Sequence, residues 1–303
     1  MQTEQMLKVR RSKLGRADKI WGTIFVAPQM FGALAFMFFP IVFSFFLCFT
    51  EWKFAGSPHF IGITNFISIF TDKTIITSIL NTLEFVVIVV PLNLFFSLCF
   101  AMLLDHKIFG RTIFRTLYFL PNVTSSIAAS LVWVWIYNPD FGMLNGFLEK
   151  FGIYNLKWLS DIHTALPSIA IVVVWQSIGN NIIIFLAGLN NISQTMYEAA
   201  EIDGANWWQR FRRITIPMLT PTIFFVVIMG FIGAFQIFNE PYVMTVGGPG
   251  KSTFTMVLYL YILGFQYFRM GEAAVVSWVL FIMIAIVTFI QFKFQNRWVN
   301  YDV

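Results

Sequence analysis

Long apolar stretches alternate with short polar connections along this chain. A helix needs about 20 apolar residues to cross a bilayer, because each residue advances about 1.5 Å through a hydrocarbon core about 30 Å thick. Lipid offers no hydrogen-bond partners to the backbone, so stretches of this length must be helical, and the short alternating strands of a barrel are missing from the pattern. The stretches that qualify are residues 23–49, 76–104, 114–137, 165–189, 219–243 and 273–293. The pattern predicts an all-α membrane protein with about six transmembrane helices.

The composition supports a membrane protein over a soluble one. The 303 residues are 58% apolar and 12% charged, whereas a soluble domain has about 25% charged residues. Both cysteines, Cys48 and Cys99, lie inside apolar stretches, where we interpret them as core residues. We predict membrane lipid, and no nucleic acid, as a partner.

The positions of the basic residues predict the orientation of the bundle. If both termini are cytoplasmic, fourteen of the twenty Lys and Arg residues fall on the inner side, as the positive-inside rule requires. We therefore predict a cytoplasmic basic segment (1–20), a transmembrane domain (21–296) and a cytoplasmic tail (297–303). The apolar run after the basic segment is too long for a cleaved signal peptide. We interpret the uncharged run 252–268 as an outer interfacial segment, with its tyrosines at headgroup level.

The most polar part of the chain, residues 190–217, joins the fourth and fifth spans. Small and polar residues recur there at helical spacing, and Gly204 can end a helix in the left-handed conformation. Trp207 and Trp208 suit a membrane interface, and the three arginines that follow suit anionic headgroups. These features alone fit either an ordinary amphipathic connector or a helix that docks on a partner.

The sequence of this loop resembles one protein family. Residues 197–205 read Tyr-Glu-Ala-Ala-Glu-Ile-Asp-Gly-Ala, and Ile-Thr-Ile-Pro follows at 214–217. This string is similar to the signature loop of permease subunits of binding-protein-dependent ABC importers, which have the type I, MetI-like fold. The resemblance implies that the loop is a coupling helix that docks on a cytoplasmic ATPase. The positions that match the core of this motif are Glu198, Ala199, Ala200, Asp203 and Gly204.

Further motifs resemble the carbohydrate-type branch of this family, in its MalF/UgpA/LacF-like half. They are Asn81-Thr82, Phe119-Leu120-Pro121, Thr245-x-Gly247-Gly248-Pro249, and Ala27-Pro28 with Phe39-Pro40 in the first span. The sequence departs from the family at Phe238-Asn239, where Asp is common after the Phe. The resemblance implies a MalG-like second permease, an ABC ATPase dimer that binds ATP and Mg, an extracytoplasmic binding protein and a sugar substrate. It also implies location in the bacterial cytoplasmic membrane.

Amide side chains in the fourth and fifth spans are candidates for a substrate path. Polar residues within a span tend to face the bundle interior, and amides beside aromatic rings suit a sugar. We predict that Gln176, Asn180, Gln236 and Asn239 line the path. The alternative is that such amides join helix to helix, and we interpret Asn81, Glu84 and Asn93 in the second span as packing or gating residues.

No enzyme site is evident in the sequence. Gly250-Lys251-Ser252-Thr253 looks like the end of a phosphate-binding loop, but Thr245 stands where the first glycine would be needed. The three histidines have no metal-ligand spacing. We predict no catalytic residue, no bound metal and no cofactor in this chain. The leading hypothesis is a carbohydrate importer subunit; an importer for glycerol phosphate or another small solute, a stand-alone carrier or channel, and a membrane-embedded enzyme remain as alternatives.

Overall fold

A computed structural model describes residues 15–53, 55–105, 110–154 and 156–300. The first 14 residues of the predicted basic segment and the last three of the predicted tail lie outside the described residues. So does Lys107, which was counted among the inner-side basic residues.

Helices form nearly all of the described chain. The helices are α1 (Arg16–Ala33), α2 (Phe39–Leu47), α3 (Thr64–Thr71), α4 (Lys73–Asp105), α5 (Arg111–Val123), α6 (Ser126–Ile136), α7 (Met143–Leu148), α8 (Ala165–Asn190), α9 (Gln194–Ile202), α10 (Trp207–Arg210), α11 (Ile216–Phe235), α12 (Asn239–Thr245), α13 (Met256–Tyr261) and α14 (Met270–Gln295). Wider π-helical turns at Leu34–Phe38, Phe211–Thr215 and Ile262–Gln266 join α1 to α2, join α10 to α11 and extend α13, and a 3-10 turn at Glu149–Phe151 follows α7.

Within the described residues, five helical segments are long and apolar enough to cross a membrane. They are Ile20–Leu47, Lys73–Asp105, Ala165–Asn190, Trp207–Phe235 and Met270–Gln295. A sixth crossing results if α5 and α6, which meet at an angle of 100°, count as one span. The prediction of an all-α membrane protein with about six spans is confirmed.

The third predicted span, 114–137, is broken into α5 and α6 and is not the continuous helix that its apolar run suggested. Thr124 and Ser125 are extended, with ψ angles of 148° and 130°. Pro121 lacks the N–H that a helix interior needs, and its own carbonyl accepts hydrogen bonds from the Thr124 hydroxyl (2.6 Å) and backbone N–H (3.3 Å). These local bonds end α5 at a point where no charged residue marks a boundary.

The fifth predicted span, 219–243, is displaced towards the N-terminus in the structure. Its helical segment begins at Trp207 and ends at Phe235. The chain then loses helical geometry at Gln236 and Phe238 before α12 begins. Pro241 lies in the first turn of α12, where its missing N–H costs no hydrogen bond.

The run 252–268, predicted as an interfacial segment, contains α13 and its π-helical extension, which pack against α14 and α4. Met256, Leu258 and Leu263 are buried there. Tyr259 is also buried, and its hydroxyl donates to Asp72 at 2.7 Å. Tyr259 is therefore held by a side chain of the same protein, which the sequence pattern did not indicate, whereas Tyr267 is exposed.

A small antiparallel hairpin follows the first span, although the sequence patterns predicted no strand. Strand β1 (Thr50–Lys53) pairs with β2 (Ala55–Phe60). The indole of Trp52 donates to the carbonyl of Gly56 at 3.1 Å. Neither strand alternates apolar and polar residues, so the pattern gave no signal for them.

The centre of the bundle is the packing of α8 against α4 and α5, with α11 on α4 and α8. One apolar cluster includes Phe85, Ile169 and Phe235, and a second, nearer the predicted inner side, includes Phe185 and Leu219. At Gly179 the backbone of α8 touches that of α5, so that a Cβ there would collide with the carbonyl oxygen of Tyr118.

We expect Gly179→Ala to destabilise the protein by about 1–3 kcal/mol, because two backbones would have to separate to admit the methyl group. The thermal unfolding midpoint of the purified protein measures this. Gly32→Ala, at a helical glycine with nothing within 4 Å of the new carbon, is the control. Equal midpoints for the two variants would contradict the close approach.

The outer ends of α4 and α13 are tied together at Asp72. Burial alone would raise the pKa of Asp72, but hydrogen bonds from Thr74 and Tyr259 and the charge of Lys251 together lower this pKa below its ordinary value. The ionised carboxylate accepts from the Thr74 backbone N–H at 2.8 Å, and Lys251 donates to the Thr74 hydroxyl, also at 2.8 Å.

This arrangement predicts a pH-dependent contribution to stability. Because the pKa is lower in the folded state, the contribution of Asp72 is present above its unfolded pKa and is lost as the pH falls through the folded pKa. The unfolding midpoint of the wild type should therefore exceed that of Asp72→Asn at neutral pH, and the difference should shrink as the pH falls below 3.8, the ordinary pKa of an aspartate. A difference that stays constant with pH, or an equal effect from Glu149→Gln at an exposed carboxylate, would oppose this interpretation.

Candidate functional site

The polar loop predicted as the coupling segment, 190–217, contains the short helix α9. At its end the N–H of Gly204 donates to the carbonyl of Glu201 (3.0 Å) and the N–H of Ala205 donates to that of Ala200 (2.9 Å). This pair of bonds is the Schellman arrangement, which requires a left-handed residue at the position of Gly204. Gly204 has a φ of 76°, as the sequence predicted.

Most of the surface of α9 is exposed to solvent. No residue of α9 is buried in the described structure. Glu198, Ala199, Asp203 and Gly204 are exposed and Ala200 is half-buried, and Ile202, just before the helix ends, has 87% of its surface exposed. A short helix with small residues and an exposed isoleucine presents a face that another protein can approach closely.

Side chains on the other side of α9 hold it to the start of the fifth span. The hydroxyls of Tyr197 and Thr215 are 2.9 Å apart, and Arg210 forms an ion pair with Glu201 at 3.3 Å. Asn206 and Gln209 cap the N-terminus of α10, because the side-chain oxygen of each accepts a hydrogen bond from the backbone N–H of the other. Sequence reasoning did not identify these anchors, although a capping box, Asn followed three residues later by Gln, is a readable signal.

A second polar region lies within the bundle. A cavity of about 380 Å³ opens between α4, α8 and α11. Its polar lining consists of amides and one hydroxyl, from Asn93, Asn122, Ser177, Asn180 and Asn181. Its other walls are apolar or carry no side chain, and include Val89, Val90, Gly230, Gly233, Ala234 and Ile237. None of the described residues that line it is charged.

Three of these polar residues form a connected rung between α4 and α8. The amide of Asn93 donates to the hydroxyl of Ser177 at 2.5 Å, and the amide of Asn181 donates to the carbonyl oxygen of Asn93 at 2.6 Å. Asn93, predicted to pack or gate, is 7% exposed and joins two helices. Asn93 and Asn122 were not among the predicted path residues, because sequence alone does not show which face of a span points inward.

The structure brings three of the four predicted path residues towards one region. Gln176 donates to the carbonyl of Thr124 at 3.2 Å, and Asn239 donates to the hydroxyl of Ser126 at 2.8 Å. Both therefore hold the break between α5 and α6. Asn180, one turn from Gln176, lines the cavity.

The fourth predicted residue, Gln236, lies apart from these three. It borders a hollow whose other walls, among them Ser277, Phe281 and Phe292, come from α14. Gln236 directly follows the last residue of α11, where the helical geometry ends.

The lysine-containing turn that looks like a phosphate-binding loop has other contacts in the structure. Lys251 donates to Thr74, and the carbonyl of Lys251 accepts from Asn81 at 2.7 Å. Thr253 is fully buried. Among the described residues, no group of three His, Cys, Asp or Glu side chains could hold a metal ion.

Comparisons with known proteins agree on the family. Residues 93–301 match the family described as binding-protein-dependent transport system inner membrane component. The probable ABC transporter permease protein YesP of Bacillus subtilis is 38% identical over 299 residues, covering 97% of this chain and 96% of the relative. The lactose transport system permease protein LacF of Rhizobium radiobacter is 37% identical over 293 residues, covering 95% and 98%.

A solved structure has the same fold. A chain of the bacterial alginate ABC transporter, crystallised with its alginate pentasaccharide-bound periplasmic protein, superposes with a TM-score of 0.81 at 21% identity, covering 93% of this chain and 95% of that one. The chain described here therefore belongs to the family of binding-protein-dependent transport system inner membrane components, and is a multi-pass, non-catalytic permease of the inner membrane.

Proposed function

We propose that this permease moves a neutral carbohydrate, specifically an oligosaccharide, that an extracytoplasmic binding protein delivers. The observation that carries the proposal is the cavity between α4, α8 and α11, whose polar lining consists of amides and a hydroxyl without a charged group. Amides supply both donors and acceptors, which is what the many hydroxyls of a sugar require. The lactose permease relative supports the same substrate class.

An anionic substrate such as glycerol phosphate fits this cavity less well. Phosphate is bound in proteins by charge-assisted hydrogen bonds from Arg or Lys, and the described lining offers neither. A stand-alone carrier is also less well supported. The break between α5 and α6 is a feature that carriers share, but the cavity presents no acid that could couple an ion.

The energy for transport would come from a separate ATPase dimer, which binds ATP and Mg. The exposed face of α9 supports this assignment, because none of its residues is buried within the described part of this chain, which leaves that face available to another protein. In this proposal α9 is the coupling helix, with Glu198, Ala199, Ala200, Asp203 and Gly204 at its contact with the ATPase. A MalG-like second permease would complete the membrane part. Only 6% of the most apolar 18-residue stretch of the first span is buried within this chain, which leaves most of that stretch available to lipid or to this partner.

We expect Glu198→Lys or Ala199→Trp to abolish uptake in cells, since each changes the charge or the shape of the surface that meets the ATPase. ATP hydrolysis by the purified complex should be lost or should no longer depend on the loaded binding protein. The amount of the chain in the membrane should stay unchanged, because both side chains are exposed.

The matched control is Lys293→Glu. It reverses a charge at an exposed position near the C-terminal end of α14. It should leave both activities within about twofold of the wild type, since substitutions at exposed positions change stability by about 0.5 kcal/mol or less. Normal uptake in Glu198→Lys and Ala199→Trp together would remove α9 as the coupling surface.

We expect Asn180→Ala to lower sugar uptake about two- to tenfold, which corresponds to the loss of a hydrogen bond worth about 0.5–1.5 kcal/mol. Gln176→Ala and Asn239→Ala should also lower it, because they release the break between α5 and α6. Initial uptake rates and the ATPase activity stimulated by the sugar-loaded binding protein measure the effect.

Gln236→Ala is the discriminating variant, since Gln236 faces α14 and not the cavity. It should have the smallest effect of the four. If it were the most damaging variant while the other three were normal, the substrate path would run on the α14 side and the cavity assignment would be wrong.

A further inference from the structure

A second polar hollow lies on the outside of the bundle, where the fifth span begins. It has a volume of about 450 Å³ and is lined by Trp208, Gln209, Arg212 and Arg213. The two arginines are exposed. Both lie within the π-helical turn Phe211–Thr215, where the N–H of Ile216 donates to the carbonyl of Phe211.

The charges at this hollow are uncompensated within the described part of the chain. Arg210, two residues before Arg212, is half-buried and paired with Glu201. In contrast, the described residues provide no carboxylate within ion-pair distance of Arg212 or Arg213. Two neighbouring guanidinium groups therefore face outward together and present donors suited to a phosphate.

Aromatic rings border the charged hollow. Trp207 stacks on Phe211, with the ring centres 5.5 Å apart and the planes 3° from parallel, and Trp208 lies 5.4 Å from the same ring. The two indoles are 54% and 57% exposed. Exposed tryptophans at the end of a span are typical of the headgroup region of a bilayer.

The depth of the arginines also matches the headgroup region. The span Trp207–Phe235 has its middle at residue 221, so Arg212 and Arg213 lie about 12–14 Å from that middle at about 1.5 Å per residue. This is close to the half-thickness of the hydrocarbon core, about 15 Å.

We propose that Trp208, Gln209, Arg212 and Arg213 form a binding site for the phosphate headgroup of an anionic phospholipid. The phosphate binds the two guanidinium groups, and the acyl chains run along the apolar surface that follows them on α11. The site lies directly beside the Arg210–Glu201 pair that anchors α9, so that a bound lipid supports the start of the fifth span. The proposal is independent of the transported substrate.

The test uses the purified permease complex in mixed micelles with equal amounts of phosphatidylglycerol and phosphatidylcholine. Native mass spectrometry counts the retained lipids of each kind. Each basic group near an anionic surface contributes about 1 kcal/mol, so R212Q/R213Q should lower the preference for phosphatidylglycerol at one site on the order of thirtyfold. The single variants should each lower it about fivefold, which keeps the test available if the double variant does not assemble.

The matched control is K293Q/R297Q, which removes two exposed charges at the C-terminal end of α14. Arg297 lies over the ring of Phe294 there. It should keep the preference. Equal retention of phosphatidylglycerol by R212Q/R213Q and wild type, or equal losses in both double variants, would overturn the site.

Two further outcomes would assign the arginines to another ligand. If inorganic phosphate displaces the bound phosphatidylglycerol completely, the hollow is a site for soluble phosphate. If R212Q/R213Q retains the lipid but no longer copurifies with the ATPase, the arginines contact that protein. Either result would overturn the lipid assignment.

Discussion

Because lipid offers no hydrogen-bond partner, the buried amide of Asn93 must be satisfied by the neighbouring helix, and this requirement fixes how α4 and α8 meet. Its nitrogen donates to Ser177 and its oxygen accepts from Asn181. A hydrogen bond between membrane helices is worth only about 0.6 kcal/mol on average, but an unpaired amide at this position would cost more. The rung thus defines the register of the pair on which α5 and α11 then pack.

The same requirement shapes the cavity. An amide that binds a neighbouring helix with both its nitrogen and its oxygen has little left for a substrate, so Asn93 forms part of the wall. Asn180 is one residue away from the rung, exposed to the cavity and free to exchange partners. Opposite it, Gly230 and Gly233 on α11 contribute no side chain. The result is a space with hydrogen-bonding groups on one side and a smooth surface on the other.

How much the sequence could predict depended on the range of the interactions involved. The length of apolar runs is a local property, and it predicted the fold class and the number of spans. Gly204 was predictable as well, because a left-handed helix end depends on a single residue. The break at Thr124 was not, since the apolar run continues through it and the side chains that stabilise it, Gln176 and Asn239, come from distant helices.

The face of a helix was the hardest property to predict. Tyr259 was expected at headgroup level because tyrosine is common there, but its hydroxyl is held by Asp72, 187 residues away in sequence. Gln236 was expected to line the path because it is an amide beside aromatic residues within a predicted span, but it borders a hollow walled by α14. In both cases the sequence pattern did not record which neighbouring helix the side chain would meet.

The anchoring of α9 has a mechanical consequence. Tyr197 and Glu201 connect α9 to Thr215 and Arg210, and from Thr215 the helix continues to Gly233 in the wall of the cavity. These 18 residues span about 27 Å. A tilt of about 5° at the α9 end would move the far end by about 2 Å. One continuous helix therefore links the exposed surface of α9 to the wall of the cavity.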